Sequence, residues 1–428
     1  MSTVLMTAYA VNPYKGSEEG TGWNLVCQSA ENHKVIAVTR KNNKADIVRY
    51  MNNHPEKQAL FSNMQFLHFD LPKWMIWWKK GPLLSALYFY IWQFSVACWL
   101  KRKKLVFDIA HSVNFHSNWT PSFLWMLGKP FVWGPVGNHP LIPAQYITKV
   151  YGYKAYLKDR MLWLVKWVFW NLDPFVYTSR KKAFRVFCVN SQAGKKLRLP
   201  EQKKIFMPAV ASENPGSLMA EKKEQFTVLS VGRFVPLKGF DLTIRSFTSF
   251  YKTLTVQHQQ QTKLLIIGTG PCKKMLQQII AEENMQHAIE IKEWMPRVEV
   301  IDIFRQSAVY LFPSHEGAGM VVAEAMSYGL PVVCLDNYGP GEYIHPSSSL
   351  KIKQGSYTST VHALAAALGK LFADPALYTI ESNLSVERYR AHFTWPVKGA
   401  IMNAVYNQAL AATGNTSAHS QPLVAKHA

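Results

Sequence analysis

The sequence predicts an α/β fold made of two doubly wound, Rossmann-like domains that face a central cleft. Short apolar segments typical of buried strands alternate with helical segments along most of the chain. A stretch rich in proline and charge at 197–225 separates two such series. The 428 residues also exceed what one hydrophobic core usually serves. Two domains of this kind bind a ligand between their strand ends.

The predicted strands have apolar interiors and are bounded by glycine, proline, asparagine or charged residues. They lie at 1–10, 35–40, 107–115, 130–137 and 184–190 in the first half, and at 226–233, 263–270, 288–294, 308–314 and 330–336 in the second. The mostly apolar segment 320–328 predicts a short helix, because Gly329 supplies a left-handed stop and Pro331 prevents continuation.

The chain divides accordingly. We expect a first domain over 1–205, a linker over 206–222 and a second domain over 223–390. A final helical segment spans 391–412, and we expect the polar tail 413–428 to be disordered.

Positive charge is concentrated in the first half. Residues 1–222 hold 30 Lys/Arg against 12 Asp/Glu, and 12 of the 14 tryptophans, whereas residues 223–428 hold 18 against 15. Basic residues mixed with tryptophan suit an anionic membrane surface or single-stranded nucleic acid. Composition alone does not separate these two partners.

The uncharged segment 81–100, flanked by lysines and an arginine, has the length and flanks of a transmembrane helix. A single span here would separate the first strands from the sheet that they complete, so we expect a helix that packs on the sheet. Together with 73–80 and 161–170 it is expected to present an aromatic face to a membrane interface.

The five cysteines are scattered and form no CxxC spacing, which predicts reduced core thiols in a cytosolic protein. The N-terminal residues lack the basic start and long apolar run of a signal peptide.

Two glutamates, Glu316 and Glu324, bracket the start of the predicted 320–328 helix, which follows the strand at 308–314. The turn between them lies at the carboxyl end of the sheet, where ligands of open α/β folds bind. Backbone amides around Gly317, Gly319 and Met320, at the positive end of the helix, suit a phosphate. The alternative is that Glu324 merely faces solvent.

Two further strand ends carry compatible residues. Arg233 and Lys238 follow the strand at 226–233, and an arginine and a lysine close together suit a diphosphate. Gly268 and Gly270 follow the strand at 263–270, where glycine lets the backbone approach a ligand closely. Each motif is weak alone, whereas three such strand ends in one domain point to one ligand.

These motifs carry a resemblance. The series "SVGRFVPLKG", "IGTGP", "EWMPRVEVIDIF", "LFPSHEGAGMVVAEAMSYGLPVV" and "LDNYGPGEYI" resembles the nucleotide-sugar-binding domain of retaining glycosyltransferases of family 4, which have the GT-B fold. The N-terminal "NPYKGSEEGTGWN" and the stretch from 107 to 143 resemble the acceptor domain of its bacterial polysaccharide branch. In that family the last helix returns to the N-terminal domain, and 393–410 is similar to it.

The resemblance implies roles for the second-domain residues. Glu324 would bind the ribose hydroxyls, Glu316 the hydroxyls of the donor sugar, and the amides from Gly319 to Val321 the sugar and diphosphate. Arg233 and Lys238 would neutralise the leaving diphosphate, a role that a divalent metal fills elsewhere. No DxD motif is present, so the implied enzyme is metal-independent and needs no cofactor besides its nucleotide-sugar substrate.

In the first domain, the resemblance implies that Gly20 and Gly22, with Ser17 and Glu18, form a loop beneath the donor. It also places His111 near the transferred sugar. A satisfied core histidine is the alternative for His111, and His116 is a rival for the role. The sequence also departs from the family at Asn138 and His139, where glycine is frequent.

The implied function is transfer of a sugar, with retention of configuration, from a nucleotide sugar to a lipid-linked or polysaccharide acceptor in bacterial surface polysaccharide biosynthesis. The implied location is the cytoplasmic face of the inner membrane, attached peripherally, with no nucleic-acid partner. Two alternatives stay open: a catalytically inactive GT-B-like scaffold of a polysaccharide assembly complex, and a single-stranded nucleic-acid binder.

Overall fold

A computed structural model describes residues 1–79, 81–113, 117–212, 225–293 and 295–414. The chain forms two compact units. The first contains Met1–Asn138, Val165–Ala209 and the chain from Trp395, and the second contains His139–Leu164 and Val210–Thr394.

The first unit is built on a seven-stranded parallel sheet with the strand order β3-β2-β1-β4-β5-β6-β7. Its strands are β1 (Thr3–Thr7), β2 (Lys34–Thr39), β3 (Met64–His68), β4 (Ile109–Ser112), β5 (Phe131–Val136), β6 (Arg185–Cys188) and β7 (Lys204–Phe206).

The second unit is built on a six-stranded parallel sheet with the order β10-β9-β8-β11-β12-β13. Its strands are β8 (Phe226–Val231), β9 (Thr262–Ile267), β10 (Ile289–Lys292), β11 (Val309–Phe312), β12 (Val332–Leu335) and β13 (Lys351–Ile352). Both sheets are buried between helices, as parallel sheets usually are. The predicted α/β class with two Rossmann-like units is confirmed.

Helices connect the strands of each sheet. They are α1 (Ser17–Ala30), α2 (Lys44–Asn53), α3 (Gln58–Phe61), α4 (Gly81–Lys103), α5 (Ala144–Leu172), α6 (Pro174–Lys182), α7 (Ser191–Lys196), α8 (Phe240–Tyr251), α9 (Val256–Gln260), α10 (Lys273–Glu282), α11 (Arg297–Gln306), α12 (Met320–Ser327), α13 (Pro340–Tyr343), α14 (Tyr357–Ala373), α15 (Pro375–His392) and α16 (Trp395–Ala412). Gly152 interrupts α5 with a left-handed backbone conformation.

Helix α4, which is uncharged over 81–100, packs on the first sheet. Tyr88, Trp92 and Val96 are fully buried in its core, together with strand residues such as Val38. On the other face of the sheet, α16 packs against α1 and buries Tyr406 among residues of β1 and β2. The last helix therefore completes the core of the first unit.

Within the described residues, no single helix combines the length and hydropathy needed to cross a membrane. One strongly bent pair, α14 with α15, passes that test by length and composition alone.

The structure differs from the sequence-based division in two places, and two parts of that division lie outside the described residues. Residues 139–164 pack with the second unit rather than with 1–205, because Ile142, Tyr146 and Ile147 join its core. The predicted linker 206–222 begins in β7, and its residues 213–222 lie outside the described part of the chain. The same holds for 415–428, most of the tail that we expected to be disordered.

Candidate functional site

The carboxyl edge of the second sheet brings the predicted donor residues to neighbouring loops. The chain runs outward from β8 through β9 to β10 and then returns to β11 beside β8. This reversal makes the β8/β11 position the topological switch point, where open α/β sheets bind ligands. Lys238 lies in the loop after β8, Gly268 in the loop after β9, and Glu316 in the loop after β11.

These loops pack so tightly that glycine is required. Gly268 has a φ of +155°, and a Cβ there would lie 1.9 Å from the carbonyl oxygen of Gly232. Gly239, with a φ of +68°, would place a Cβ 2.2 Å from the carbonyl oxygen of Pro313. Only glycine tolerates such conformations and approaches. The absence of a side chain at Gly268 therefore lets the loops after β8 and β9 pack against each other. Gly239 does the same for the loops after β8 and β11.

Lys238 and Glu316 form an ion pair at this edge. The ammonium Nζ lies 2.8 Å from Glu316 Oε2, and the two side chains are only 14% and 15% exposed. Burial raises the pKa of the Glu316 carboxyl, and the Lys238 ammonium opposes that shift. The ammonium also lies 5.0 Å from the centre of the Phe312 ring. The predicted cation and the predicted carboxylate are therefore in direct contact.

The loop after β11 is held by side chains that sequence reasoning did not assign. Ser314 Oγ donates to the carbonyl oxygen of Leu237 and accepts from the Glu316 amide. The Gly317 amide donates to His139 Nδ1 at 3.0 Å, so this imidazole nitrogen carries no proton. The backbone around Glu316 is therefore fixed from both sides.

His315, immediately before Glu316, is 2% exposed, and burial lowers its pKa to about 4. Gln354 Nε2 lies 3.2 Å from its Nδ1. The other ring nitrogen, Nε2, is buried and has no hydrogen-bond partner within the described residues. Because Nδ1 accepts from the amide, Nε2 carries the proton of the neutral ring. A buried N–H without a partner is costly, which marks His315 as a candidate ligand contact.

The α12 helix begins where the sequence predicts. Gly319 is its N-cap, and no described side chain caps the helix start, so the amides of Met320 and Val321 are open to an anion. Glu324 lies one turn further on and is half-buried. Arg233 follows β8 and is exposed.

His111 lies within β4 and is fully buried. Its Nε2 donates to the carbonyl oxygen of Gly134 at 2.7 Å, and its Nδ1 lies 2.6 Å from the Tyr406 hydroxyl. Burial lowers its pKa to about 4, so the ring is neutral at physiological pH. Both ring nitrogens are hydrogen-bonded inside the core, so His111 fits the alternative role of a structural core histidine. The rival His116 lies outside the described residues.

The expected loop around Gly20 and Gly22 is wrong. Both glycines lie inside α1 and are buried, and the loop that precedes the helix is formed by 8–16. A Cβ at Gly20 would lie 2.3 Å from the carbonyl oxygen of Lys15. Glycine is therefore needed where the helix starts against the preceding loop. Ser17 and Glu18 form the first turn of α1.

The carboxyl edge of the first sheet carries a second group, the strand-end cluster of Tyr9, Arg40, Asp70, Lys79 and Tyr88. The first three follow the adjacent strands β1, β2 and β3. Arg40 Nε lies 3.0 Å from Asp70 Oδ1, and the Tyr88 hydroxyl donates to the same oxygen at 2.7 Å. The arginine lies over the Tyr9 ring, and the Lys79 ammonium lies over the Tyr88 ring.

Burial dominates the electrostatics of this cluster. It raises the pKa of Tyr9 to about 12, although Arg40 opposes the shift. Burial also lowers the pKa of Lys79, and the neighbouring Arg40 adds to that effect. Two cations facing one carboxylate leave a net positive charge, which suits an anionic or hydroxyl-rich ligand.

No group of three or more His, Cys, Asp or Glu side chains with metal-binding geometry occurs in the part of the chain that the structure describes. The strand-end motifs of the second unit carry cations and open backbone amides, which suit organic anions.

Some functional-site residues that we did not predict from the sequence lie in motifs that could have indicated them. Asn337 Nδ2 donates to the Ser314 carbonyl, and a Cβ at Gly339 would lie 1.8 Å from the Glu316 carbonyl oxygen. Both belong to the "LDNYGPGEYI" motif. Arg40 ends an apolar segment, and a polar residue directly after a parallel strand is itself a signal.

Part of the second half of the chain matches a known protein family. Residues 219–383 match the family model for glycosyl transferases group 1. This stretch contains Lys238, Glu316 and Glu324, and it is less than half of the chain.

Two relatives are named for lipopolysaccharide core biosynthesis and for amylovoran biosynthesis. The chain is 28% identical over 172 residues to the lipopolysaccharide core biosynthesis glycosyltransferase LpsD of Rhizobium meliloti, which covers 40% of this chain and 46% of that protein. It is 31% identical over 160 residues to the amylovoran biosynthesis glycosyltransferase AmsD of Erwinia amylovora, which covers 36% and 43%. The chain thus matches less than half of the length of either relative.

Solved structures show the fold of the chain. HepE from Anabaena, in complex with UDP and glucose, superimposes with a TM-score of 0.56 at 12% identity, over 96% of this chain and 99% of that one. Other solved glycosyltransferases share the fold over more than nine tenths of the chain. At such low identity these likenesses show the GT-B fold alone.

Proposed function

We propose that the chain is a retaining glycosyltransferase of family 4 that transfers a sugar from a nucleotide-sugar donor to a lipid-linked or polysaccharide acceptor in bacterial surface polysaccharide biosynthesis. The observation that carries the proposal is the carboxyl edge of the second sheet. There a buried ion pair, Lys238 with Glu316, adjoins the uncapped start of α12 within the stretch that matches the glycosyltransferase model.

The donor fits this edge by charge. The open amides of Met320 and Val321 suit the diphosphate, Glu324 suits the ribose hydroxyls, and Glu316 suits the hydroxyls of the sugar. Two features support this assignment: Glu316 is held at a fixed position by Lys238, and the adjacent His315 has a buried Nε2 that lacks a partner in the described structure.

The reaction breaks the bond between the anomeric carbon and the diphosphate oxygen and forms a bond from that carbon to an acceptor hydroxyl. Its transition state resembles an oxocarbenium ion, so negative charge accumulates on the departing diphosphate. Arg233 and Lys238 stabilise that charge without a divalent metal. In a front-face reaction the departing phosphate oxygen takes the proton of the acceptor hydroxyl, and the configuration is retained.

The strand-end cluster of the first unit is proposed to bind the acceptor. Arg40 and Lys79 provide positive charge, and the buried Tyr9 ring supports both cations: Arg40 lies over the ring, and the Lys79 ammonium donates to a hydroxyl that stays protonated because burial raises the pKa of Tyr9. Hydroxyl-rich sugars that carry a phosphate combine the two properties that this cluster recognises.

Turnover of nucleotide sugars tests the proposal. The purified chain is incubated with a panel of uridine, guanosine and other nucleotide sugars, and release of the nucleoside diphosphate is measured. We expect slow hydrolysis of one or two donors, with faster release when a lipid-phosphate-linked sugar is added. If no donor is hydrolysed, and calorimetry also detects no donor binding, the scaffold alternative is favoured.

We further propose that the protein attaches peripherally to the anionic cytoplasmic face of the inner membrane. The attachment surface, termed the α4–α6 surface, comprises Leu87, Phe94, Leu172, Phe175 and Tyr177. These side chains are between 42% and 67% exposed. The rings of Phe94 and Phe175 both contact the Phe123 ring, at 5.2 and 5.1 Å, so α4 and α6 form one continuous surface.

Charge favours a lipid over a neutral partner. Exposed residues Lys101 to Lys104 end α4, and 180–182 at the end of α6 are all basic. Each basic residue near an anionic leaflet contributes about 1 kcal/mol. Exposed Trp74 and Trp77, in the segment before α4, add amphipathic rings of the type found at membrane interfaces.

Co-sedimentation with vesicles tests this attachment. We expect binding to vesicles that contain phosphatidylglycerol and little binding to phosphatidylcholine alone. The double variant Leu172→Asp, Phe175→Asp should weaken binding about tenfold or more, because each removes apolar burial and adds negative charge. Val256→Asp, at a 73% exposed position of the second unit, is the matched control. Equal binding by both variants would contradict the assignment, and steeply salt-dependent binding of oligonucleotides instead would favour a nucleic-acid partner.

A further inference from the structure

The second unit contains a cavity of about 500 Å³ that the proposed reaction does not use. Its walls are α8, α14, the first part of α5 and Glu283, which directly follows α10. Helices that follow parallel strands start at the carboxyl edge of the sheet and run back. Lys252 and Glu283 follow the ends of α8 and α10, so this α8–α14 cavity extends away from the edge that carries Lys238 and Glu316.

Positive charge lines the α8–α14 cavity. Lys149, Arg245 and Lys252 contribute three cations, and Glu283 is the one carboxylate among the lining residues that the structure describes. Glu283 is shared by Arg245, at 2.7 Å, and Lys252, at 3.2 Å. One carboxylate offsets one of three cations, so the cavity keeps a net positive charge with an exposed lysine at its rim.

Hydroxyl groups accompany the cations. Thr248, in the middle of α8, is 2% exposed, and its Oγ1 has no hydrogen-bond partner within the described residues. One turn of helix away from Arg245, it lies on the same face of α8. Ser249 makes only a long contact of 3.5 Å to His362 Nδ1. Because a buried hydroxyl without a partner is unfavourable, Thr248 indicates a polar group that the chain alone does not supply.

We propose that the α8–α14 cavity binds a small organic phosphate, at a site separate from the donor site. Arginine and lysine recognise phosphate oxygens, and the hydroxyls of Thr248 and Ser249 supply further donors. The ring of Tyr357 and the side chain of Val361 line the same cavity and offer an apolar wall to the organic part. The volume lies within the range of sites that hold ligands of drug-like size.

Calorimetry with inorganic pyrophosphate and with a sugar monophosphate tests this site. The full chain carries Arg233→Ala and Arg40→Ala, which remove one cation from the proposed donor site and one from the strand-end cluster of the first unit and leave the lining of the cavity unchanged. We expect one binding event per chain, and Lys149→Glu in that background should weaken it about tenfold, since a favourable charge is replaced by a repulsive one. Thr248→Val, which keeps the side-chain shape, should weaken it several-fold.

Lys370→Glu is the matched control, because it makes the same charge change at an exposed position in the last turn of α14 that does not line the cavity. Circular dichroism confirms that each variant folds. Equal affinities of Lys149→Glu, Thr248→Val and the control would overturn the proposal, as would absence of any binding. Turnover of nucleotide sugars does not enter this measurement, so the two proposals fail independently.

Discussion

Replacing Glu324 by alanine should raise KM for the donor while the chain stays folded. Glu324 is half-buried on a short helix, and it is proposed to bind the ribose, which does not react. Loss of such a contact weakens the ground state and the transition state equally, so KM for the donor should rise by about tenfold to a hundredfold with a smaller change in kcat. Steady-state kinetics with the donor identified by the panel measure this effect.

Arg233→Ala should show the opposite kinetic pattern. Arg233 is proposed to stabilise charge that develops only as the diphosphate leaves, so kcat should fall by about 10²-fold to 10³-fold. Arg233 is exposed and Glu324 is half-buried, so the thermal unfolding temperature should stay close to that of the parent chain. Glu299→Ala and Arg305→Ala, at exposed positions of α11, are the matched controls. An unchanged kcat/KM in Glu324→Ala or Arg233→Ala would refute the site.

Lys238→Met should destabilise the second unit. Lys238 is the ion-pair partner of Glu316, and the two side chains are about 15% exposed. Removing one member of a buried pair leaves an uncompensated charge, which costs about 3 kcal/mol in the free energy of unfolding. Urea denaturation at neutral pH measures the loss. The double variant Lys238→Met, Glu316→Gln removes both charges and should recover most of it.

The loss should depend on pH in a defined direction. Burial already raises the pKa of Glu316, and without Lys238 nothing opposes that shift. A carboxyl with a higher pKa in the folded than in the unfolded chain binds its proton more tightly when folded, so stability falls as the pH rises through that window. The deficit of Lys238→Met should therefore shrink as the pH falls from about 7 towards about 4.5, the range of an unperturbed glutamic acid. A deficit that is constant over this range would exclude Glu316 as its source.

The sequence predicts the strands that are apolar runs, and it fails where strands are short or polar. The missed β3 contains Gln65 and His68, which interrupt the apolar pattern. The missed β7 has three residues and β13 has two. Strand β7 also lies inside the charged stretch 197–225, which we interpreted as separating the two domains. These strands form by pairing with neighbours that are distant in sequence, which a local pattern does not contain.

The sequence predicted those site residues whose positions follow from the order of the strands. It did not predict the role of residues that depends on contacts with distant parts of the chain. Lys238 and Glu316 are 78 residues apart, yet the rule that parallel strand ends meet at one edge brings them together. His111 also follows from a strand position, but its partner Tyr406 lies 295 residues away and makes the imidazole part of the core. The helix at Gly20 had a local signal that we did not use: two glutamates in its first turn.

The first unit draws its core from both ends of the chain. Met402, Val405 and Tyr406 of α16 are buried against β1 and β2, close to the N-terminus. During synthesis on the ribosome, strands made early must wait for the last helix before their hydrophobic face is covered. The second unit, complete at Thr394, has all its segments sooner. We therefore expect the first unit, whose synthesis begins first, to finish folding last. A chain that stops before Trp395 should need chaperones.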